Sequence, residues 1–96
     1  MLVTLDIGNS HVRFGGFCGD DMRFVASIAT DDRLTGEQYA CQLRDVFGLY
    51  GIDPAQIDGV VFCSVVPSVT PAIHKAIRML TGCEPLGVGS GVKTGL

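Results

Sequence analysis

The residues best suited to chemistry lie near the start of the chain, in the run Asp6-Ile7-Gly8-Asn9-Ser10. Glycine lets an anion approach the backbone closely, turn N–H groups can point into one concavity, and the Ser10 hydroxyl can donate a further hydrogen bond. A carboxylate at Asp6 would repel a phosphate by roughly 4 kcal/mol at roughly 4 Å and an effective dielectric of about 20. Asp6 therefore fits a phosphate site if Mg²⁺ lies between the two groups.

The alternative interpretation of this run is an ordinary hairpin with Gly-Asn at its tip, where both residues tolerate positive φ. The position of Asp6 favours the phosphate site over the plain hairpin. An aspartate that ends an otherwise apolar strand is costly unless it has a partner.

Three strands are expected to hold this run in place, over residues 2–7, residues 11–18 and from Met22 to about Ala29. The first reads as a central strand buried on both faces, because it is nearly continuously apolar. The short turns between the strands predict an antiparallel meander. Alternation places Val12, Phe14 and Cys18 on one face of the second strand, opposite Arg13 and Phe17, and groups Met22, Phe24, Ala26 and Ile28 on one face of the third.

Two helices and two more strands follow. Thr35 with Gln38 forms a capping box that opens the first helix, and Gly51 ends it. Residues 59–66 read as a buried strand of β-forming residues. Thr70 and Pro71 suit the N-cap and first position of a second helix, which Gly82 closes. Residues 85–88 suggest a last short strand.

The order β-β-β-α-β-α-β combines a meander with helix-linked strands and so predicts an α/β fold with a mixed sheet. It is the ribonuclease-H-like order, which is also half of an actin-like, sugar-kinase-type fold. This resemblance in fold implies that residues 1–88 form an N-terminal lobe of the actin-like ATPase type, the first lobe of a two-lobed kinase. Residues 89–96 are glycine-rich and read as a connector toward a second part.

Composition and charge argue against several classes of function. The net charge is −3 and the seven basic residues are scattered, which argues against a nucleic-acid-binding surface. No apolar stretch is long enough to cross a membrane, and the N-terminus lacks the features of a signal peptide, so a cytoplasmic location is expected. The four cysteines are widely spaced, without a Cys-x-x-Cys pair, and are interpreted as small buried apolar residues rather than zinc ligands.

A set of short motifs in order along the entire chain resembles the type III pantothenate kinases. The motifs are Asp6-Ile7-Gly8-Asn9-Ser10, Thr30-Asp31, Arg33-x-Thr35, Glu37 and Tyr39, Cys63-Ser64-Val65-Val66-Pro67, Thr70-Pro71, and Gly91-Val92-Lys93-Thr94-Gly95-Leu96. The resemblance implies the acetate and sugar kinase, Hsp70 and actin fold. It implies phosphoryl transfer from ATP to pantothenate, the first step of coenzyme A synthesis, by a homodimer that requires Mg²⁺ and a monovalent cation, K⁺ or NH₄⁺.

The same resemblance assigns the ATP-phosphate loop to residues 6–13, that is Asp6, Ile7, Gly8, Asn9, Ser10, His11, Val12 and Arg13, with Asp6 as the metal residue. Two of these positions depart from the family's pattern. Ser10 keeps the hydroxyl of the usual threonine, whereas Val12 lacks the small hydroxyl that members often carry there. The general base and the pantothenate contacts of the family fall after Leu96, so no catalytic base is assigned here and the 96 residues alone are expected to be inactive.

Other candidates receive simpler interpretations. Residues 87–94 resemble a P-loop but have Val92 where a glycine is required. His11 is either a phosphate contact or an exposed strand residue, and His74 is expected on the surface. Ser64 is either a neighbour of the active-site cleft or a strand-end hydroxyl bonded to the backbone.

Five further residues are read mainly as structural. Asp31, Asp32 and Arg33 are expected in a solvated loop, or facing a dimer partner, and Tyr39 and Tyr50 in the core. Two other functions remain open: a non-catalytic regulatory relative, and an actin-like kinase for another small acceptor such as a sugar or acetate.

Overall fold

The computed structural model describes residues 1–88. The strands are β1 (Leu2–Ile7), β2 (His11–Cys18), β3 (Asp21–Ala29), β4 (Gly59–Ser64) and β5 (Leu86–Gly87), and the helices are α1 (Gly36–Leu49) and α2 (Thr70–Thr81), with a short 3-10 helix at Pro54–Gln56. The predicted order of elements is confirmed. The predicted connector, residues 89–96, lies outside the described residues.

The five strands form one mixed sheet in the order β3-β2-β1-β4-β5. β1 pairs antiparallel with β2 and parallel with β4, so it is the central strand of the sheet. β4 also pairs parallel with β5. Because β1 and β4 run in the same direction, their carboxyl ends lie side by side, with Ile7 opposite Ser64.

Both helices contribute to one core on a single face of the sheet. Alternate residues of β1, namely Val3, Leu5 and Ile7, are buried in this core together with side chains of α1 and α2. On the other face of β1, Leu2 and Asp6 are exposed and Thr4 is half-buried. The expectation that β1 is buried on both faces is therefore wrong for the described residues, because no described helix covers the second face.

An irregularity in the pairing of β2 with β3 changes one predicted face. Gly16 pairs with Phe24, whereas the next residue, Phe17, pairs with Met22, so Arg23 is the extra residue of a β-bulge. The bulge turns Met22 away from the face that carries Phe24. Met22 is exposed and lies on the open face of the sheet beside the half-buried Phe17, contrary to the alternation predicted from the sequence.

The helix ends follow the sequence at three of four positions. The capping box of Thr35 and Gln38 is present at the start of α1, and Gly51 and Gly82 follow the helices with φ of 70° and 73°, the left-handed conformation that favours glycine. The fourth prediction is wrong. The N-cap of α2 is Val69, whose side chain makes no capping hydrogen bond. Thr70 lies inside the helix, and its hydroxyl contacts the Ser64 hydroxyl and the Val66 carbonyl instead.

Candidate functional site

Residues 8–10 connect β1 to β2 at the carboxyl end of the central strand, and we call them the β1–β2 turn. The Gly8 N–H donates to the His11 carbonyl over 2.9 Å and closes the hairpin. No residue of this turn has a positive φ, so the conformational freedom expected of Gly8 and Asn9 is not used. A Cβ at position 8 would lie 3.2 Å from the His11 carbonyl oxygen, so the hairpin itself crowds this position.

The turn leaves backbone donors available. Within the residues that the structure describes, the N–H groups of Asn9 and Ser10 donate no hydrogen bond. The Gly8 carbonyl accepts a hydrogen bond from the Thr30 hydroxyl at 2.8 Å, and the Ser10 carbonyl accepts one from the Thr30 N–H at 2.9 Å. Successive free N–H groups in a tight turn are the donors with which proteins bind anions.

A hollow of about 210 Å³ lies beside this turn, lined by Asp6, Gly8, Ser10, His11 and Arg13. Asp6 and Arg13 are opposite each other in the β1–β2 pairing. Both are exposed, and among the described ion pairs neither takes part. The cost of burying a carboxylate therefore does not apply to Asp6. Its charge and that of Arg13 remain available to a ligand.

Three of the predicted phosphate-loop residues lie elsewhere. The side chains of Ile7 and Val12 are in the core, at 0% exposure each, so only their backbone groups could touch a ligand. Asn9 lines a second hollow of about 560 Å³ on another side of the turn. The structure thus brings together five of the eight predicted residues around one hollow.

The second hollow is the less suitable of the two for an anion. Asp31 and Asp32 line it, and its Arg33 guanidinium is engaged by Asp31 at 3.1 Å. The hydrogen bonds from Arg33 hold the pKa of the Asp31 carboxyl below its usual value, and those same contacts raise the pKa of Arg33. Asp32 leaves this hollow with net negative charge, whereas the first hollow combines one carboxylate with Arg13 and His11. The loop interpretation of residues 31–33 is consistent with this exposed ion pair.

A cavity of about 640 Å³ lies between β4, α2 and β5. Thr70, His74 and Arg78 recur every fourth residue along α2 and contribute one wall. The expectation that His74 is a surface residue holds only in part: the residue is half-buried, its Nε2 is buried with no hydrogen-bond partner among the described residues, and its ring packs edge-on against Phe62 with centroids 4.4 Å apart. Burial lowers the pKa of His74, and the charge of Arg78 adds to the effect while Glu84 opposes it.

Ser64 ends β4 and lines that same cavity. Its Oγ accepts a hydrogen bond from the Val66 N–H at 3.0 Å and lies 2.8 Å from the Thr70 hydroxyl. The backbone-bonding interpretation of Ser64 is therefore confirmed. The strand is also shorter than predicted, since it ends at Ser64, although the Val65 N–H still donates to the Ile7 carbonyl of β1 at 3.1 Å.

The described residues contain no group of three or more histidine, cysteine or acidic side chains that could hold a metal ion. The four cysteines are free, and Cys18 and Cys41 are exposed while Cys63 and Cys83 are half-buried. The prediction that cysteines fill the core is therefore wrong. No helix in the described part of the chain combines the length and apolar character of a membrane span.

Two residues that support the turn carried no functional prediction. Thr30 contacts the turn across 22 positions of sequence, and Tyr39 is fully buried with its hydroxyl bonded to the backbone of Asp31. Both residues belong to motifs of the family resemblance, and this membership is the one sequence signal that pointed to them. Their contacts join β3 and α1 to the turn, which no local pattern predicts.

A model of the type III pantothenate kinase family matches residues 2–96. The chain belongs to that family. Two relatives named type III pantothenate kinase, from Moorella thermoacetica and Geotalea uraniireducens, are 36% and 37% identical to it. Each comparison covers the whole of this chain and 38% of the relative. The chain thus spans less than half the length of the curated relatives that it matches.

A solved structure supports the fold. A Porphyromonas gingivalis protein assigned as an N-acetylglucosamine kinase superimposes with a TM-score of 0.66 at 16% identity, covering 93% of this chain and 34% of that one. The predicted fold class, a mixed sheet of the sugar-kinase and actin-like type, is confirmed. At this identity the similarity concerns the fold and not the acceptor.

Proposed function

We propose that the 96 residues supply the ATP-phosphate-binding part of a pantothenate kinase, which transfers a phosphoryl group from ATP to pantothenate at the start of coenzyme A synthesis. The observation that carries the proposal is the β1–β2 turn, with free N–H groups at Asn9 and Ser10 beside a hollow that also holds Asp6 and Arg13. Phosphoryl transfer needs mainly positioning and charge neutralisation, which backbone donors and a cation provide.

In this proposal the phosphates of ATP lie in the hollow beside the turn. The N–H groups of Asn9 and Ser10 and the Ser10 hydroxyl donate to phosphate oxygens, and Arg13 offsets part of their charge. The side chains of Ile7 and Val12 hold the two strands in the core and take no part in binding. His11 is an exposed residue at the rim of the hollow.

Asp6 fits a magnesium ion that is coordinated mostly by phosphate oxygens and water. A single exposed carboxylate that has no ion-pair partner within residues 1–88 suits Mg²⁺, which usually keeps several waters and takes one or two protein carboxylates. When bound, the ion neutralises charge on the phosphates. We assign no described residue to the monovalent cation, K⁺ or NH₄⁺, to the homodimer interface or to pantothenate.

The family match favours pantothenate over a sugar or acetate as acceptor. No described carboxylate other than Asp6 lines the hollow beside the turn, so we propose that the base acting on the acceptor hydroxyl lies outside the described residues. The 96-residue chain by itself is then expected to form no phosphopantothenate, because a base must lie within hydrogen-bond reach of the hydroxyl.

The experiment that tests the proposal compares Asp6→Asn with Asp20→Asn in the full-length protein. Asp20 is an exposed aspartate in the turn between β2 and β3, at the opposite end of the hairpin, and serves as the matched control. Asp6→Asn should lower kcat with Mg²⁺ by on the order of 100-fold, as expected when one preorganised charged group is lost. ATP binding measured in EDTA should change little, because the carboxylate acts through the metal.

Asp20→Asn should match the parent in both measurements. Equal kcat of Asp6→Asn and the parent would remove Asp6 from the site. A parent protein that forms phosphorylated product from glucose or acetate but not from pantothenate would refute the assignment of the acceptor.

A further inference from the structure

Thr30 bridges the two ends of the β1–β2 turn. Its hydroxyl donates to the Gly8 carbonyl at 2.8 Å, and its backbone N–H donates to the Ser10 carbonyl at 2.9 Å. Thr30 follows the last residue of β3, so these bonds tie the end of the third strand to the loop that joins the first two. One residue thereby fixes two of the peptide groups of the turn.

The direction of each of these two carbonyls fixes the direction of the N–H group in the same peptide unit. The peptide bonds of the described residues are all trans, and in a trans peptide the N–H points away from the C=O of the same unit. The Gly8 carbonyl shares its peptide plane with the Asn9 N–H. Since Thr30 holds that carbonyl, the free Asn9 N–H must point away from Thr30, fixed in one orientation.

The usual short hairpin does not need such a bridge. In most two-residue hairpin loops the carbonyl before the loop and the N–H after it bond to each other and close the turn. Here the Gly8 carbonyl accepts its hydrogen bond from the Thr30 hydroxyl instead. The turn therefore keeps a defined shape without a positive φ and without using the Asn9 and Ser10 donors internally.

Thr30 is itself held from the core. Tyr39 of α1 is fully buried, and its hydroxyl donates to the Asp31 carbonyl at 2.7 Å and accepts from the Asp31 N–H at 2.9 Å. Asp31 directly follows Thr30, so the Tyr39 hydroxyl fixes the peptide that leaves Thr30. A buried tyrosine hydroxyl needs hydrogen-bond partners, and this one finds both in a single residue.

We propose that Thr30, backed by Tyr39, is a positioning residue that orients the Asn9 N–H toward the phosphates of ATP. This inference rests on the proposed function, since it concerns the same phosphate site. Thr30 acts through the turn and touches no phosphate. Its loss should weaken nucleotide binding and leave acceptor binding unchanged, because preorganised donors need no reordering when the anion arrives.

Thr30→Val tests the proposal in the full-length protein, because valine keeps the β-branched shape of a half-buried threonine and lacks the hydroxyl. We expect KM for ATP to rise about five- to ten-fold, the equivalent of one hydrogen bond, with KM for pantothenate unchanged. Calorimetric binding of ATP without acceptor should weaken by the same factor. Thr30→Ser, which restores the donor, should recover most of the affinity.

Thr81→Val is the matched control. The Thr81 hydroxyl also donates to a backbone carbonyl at 2.8 Å, that of Ile77, but it lies at the end of α2 away from the turn. Its loss should lower the melting temperature and leave KM for ATP as in the parent. If Thr30→Val does not fold, Tyr39→Phe tests the same support, with an expected two- to three-fold rise in KM for ATP, roughly half the effect of a direct hydrogen bond.

Three outcomes separate this inference from the proposed function. A parent that does not bind ATP would overturn both. A parent that binds ATP and loses activity in Asp6→Asn, but whose ATP affinity is unchanged in Thr30→Val, would overturn the role of Thr30 alone. Equal rises in KM for ATP and for pantothenate would show a general structural effect and would also refute positioning.

Discussion

Gly16 is the position where adding one methyl group should most clearly damage the fold. It pairs with Phe24 across β2 and β3, and a Cβ built there would overlap the Phe24 ring, at 2.9 Å from Cδ1 and closer still to Cε1. The Met1 sulfur would lie at 2.8 Å. Ordinary van der Waals contact begins near 3.4 Å on the same scale, so the ring must move.

The ring has little room to move. Phe24 packs edge-on against Phe14 and Phe47, with centroids 6.0 Å and 5.8 Å away, and lies 5.5 Å from the ring of Tyr50. Overpacking of such a core destabilises the folded state by about 1–3 kcal/mol. Replacing a strand glycine by alanine stabilises it by about 0.5–1 kcal/mol, because alanine loses less backbone entropy than glycine on folding. We expect Gly16→Ala to lower the free energy of unfolding by about 1 kcal/mol, the difference between the central values of these two terms.

Gly48→Ala is the matched control, because it makes the same chemical change at an exposed position of α1 where a Cβ would meet nothing within 4 Å. It should stabilise the protein by about 0.5–1 kcal/mol through helix propensity. Thermal denaturation of the full-length variants should therefore place Gly16→Ala below the parent and Gly48→Ala above it. A second check combines Gly16→Ala with Phe24→Leu, whose smaller side chain should absorb part of the cost. Equal stability of Gly16→Ala and the parent would refute the packing argument.

Two further results are expected. Burial depresses the pKa of His74 below its ordinary 6.5, so the unfolded chain binds more protons than the folded one as pH falls through 6.5. Melting curves should therefore show that the stability of the parent drops between pH 7.5 and 5.5, and that the stability of His74→Gln drops less. Identical pH profiles of the two proteins would contradict the burial of this imidazole. The 96-residue chain should self-associate through the open sheet face, where Met22 and Val25 are each 55% exposed. Val25→Lys should reduce this association in sedimentation, whereas Met79→Lys on α2, at an equally exposed position, should not. A parent that sediments as a monomer at high concentration would argue against it.

The sequence predicted the elements and their order because each is specified locally. The capping box at Thr35, the glycines at 51 and 82 and the β-forming run of β4 act over a few residues, and the structure has all of them. The failures are at positions where contacts outside the element decide. Thr70 was expected to cap α2, but the hydroxyl of Ser64 and the carbonyl of Val66 hold its side chain.

The remaining failures concern burial, which depends on how elements pack. β1 has a nearly continuous apolar sequence, but the described helices cover only one of its faces. The bulge at Arg23 displaced Met22 from its predicted face, and helical spacing placed His74 beside the apolar stripe of α2, where Phe62 of β4 covers it. Periodicity gives the face of a residue within an element and cannot give what lies opposite that face.

The sequence motif of the candidate site is local, whereas the position of the site and its available N–H groups depend on residues far away in the sequence. Asp-x-Gly-Asn-Ser is a weak motif because an ordinary hairpin would satisfy it, and in this fold the turn does not even need the positive φ that glycine and asparagine offer. Its position is set by the parallel pairing of β1 with β4, whose carboxyl ends meet at Ile7 and Ser64. Its free N–H groups depend on Thr30, which takes up the Gly8 carbonyl from 22 residues away. The proposed phosphate site therefore consists of the turn together with the strand that supports it, and we expect a substitution at Thr30 to affect this site although the motif is intact.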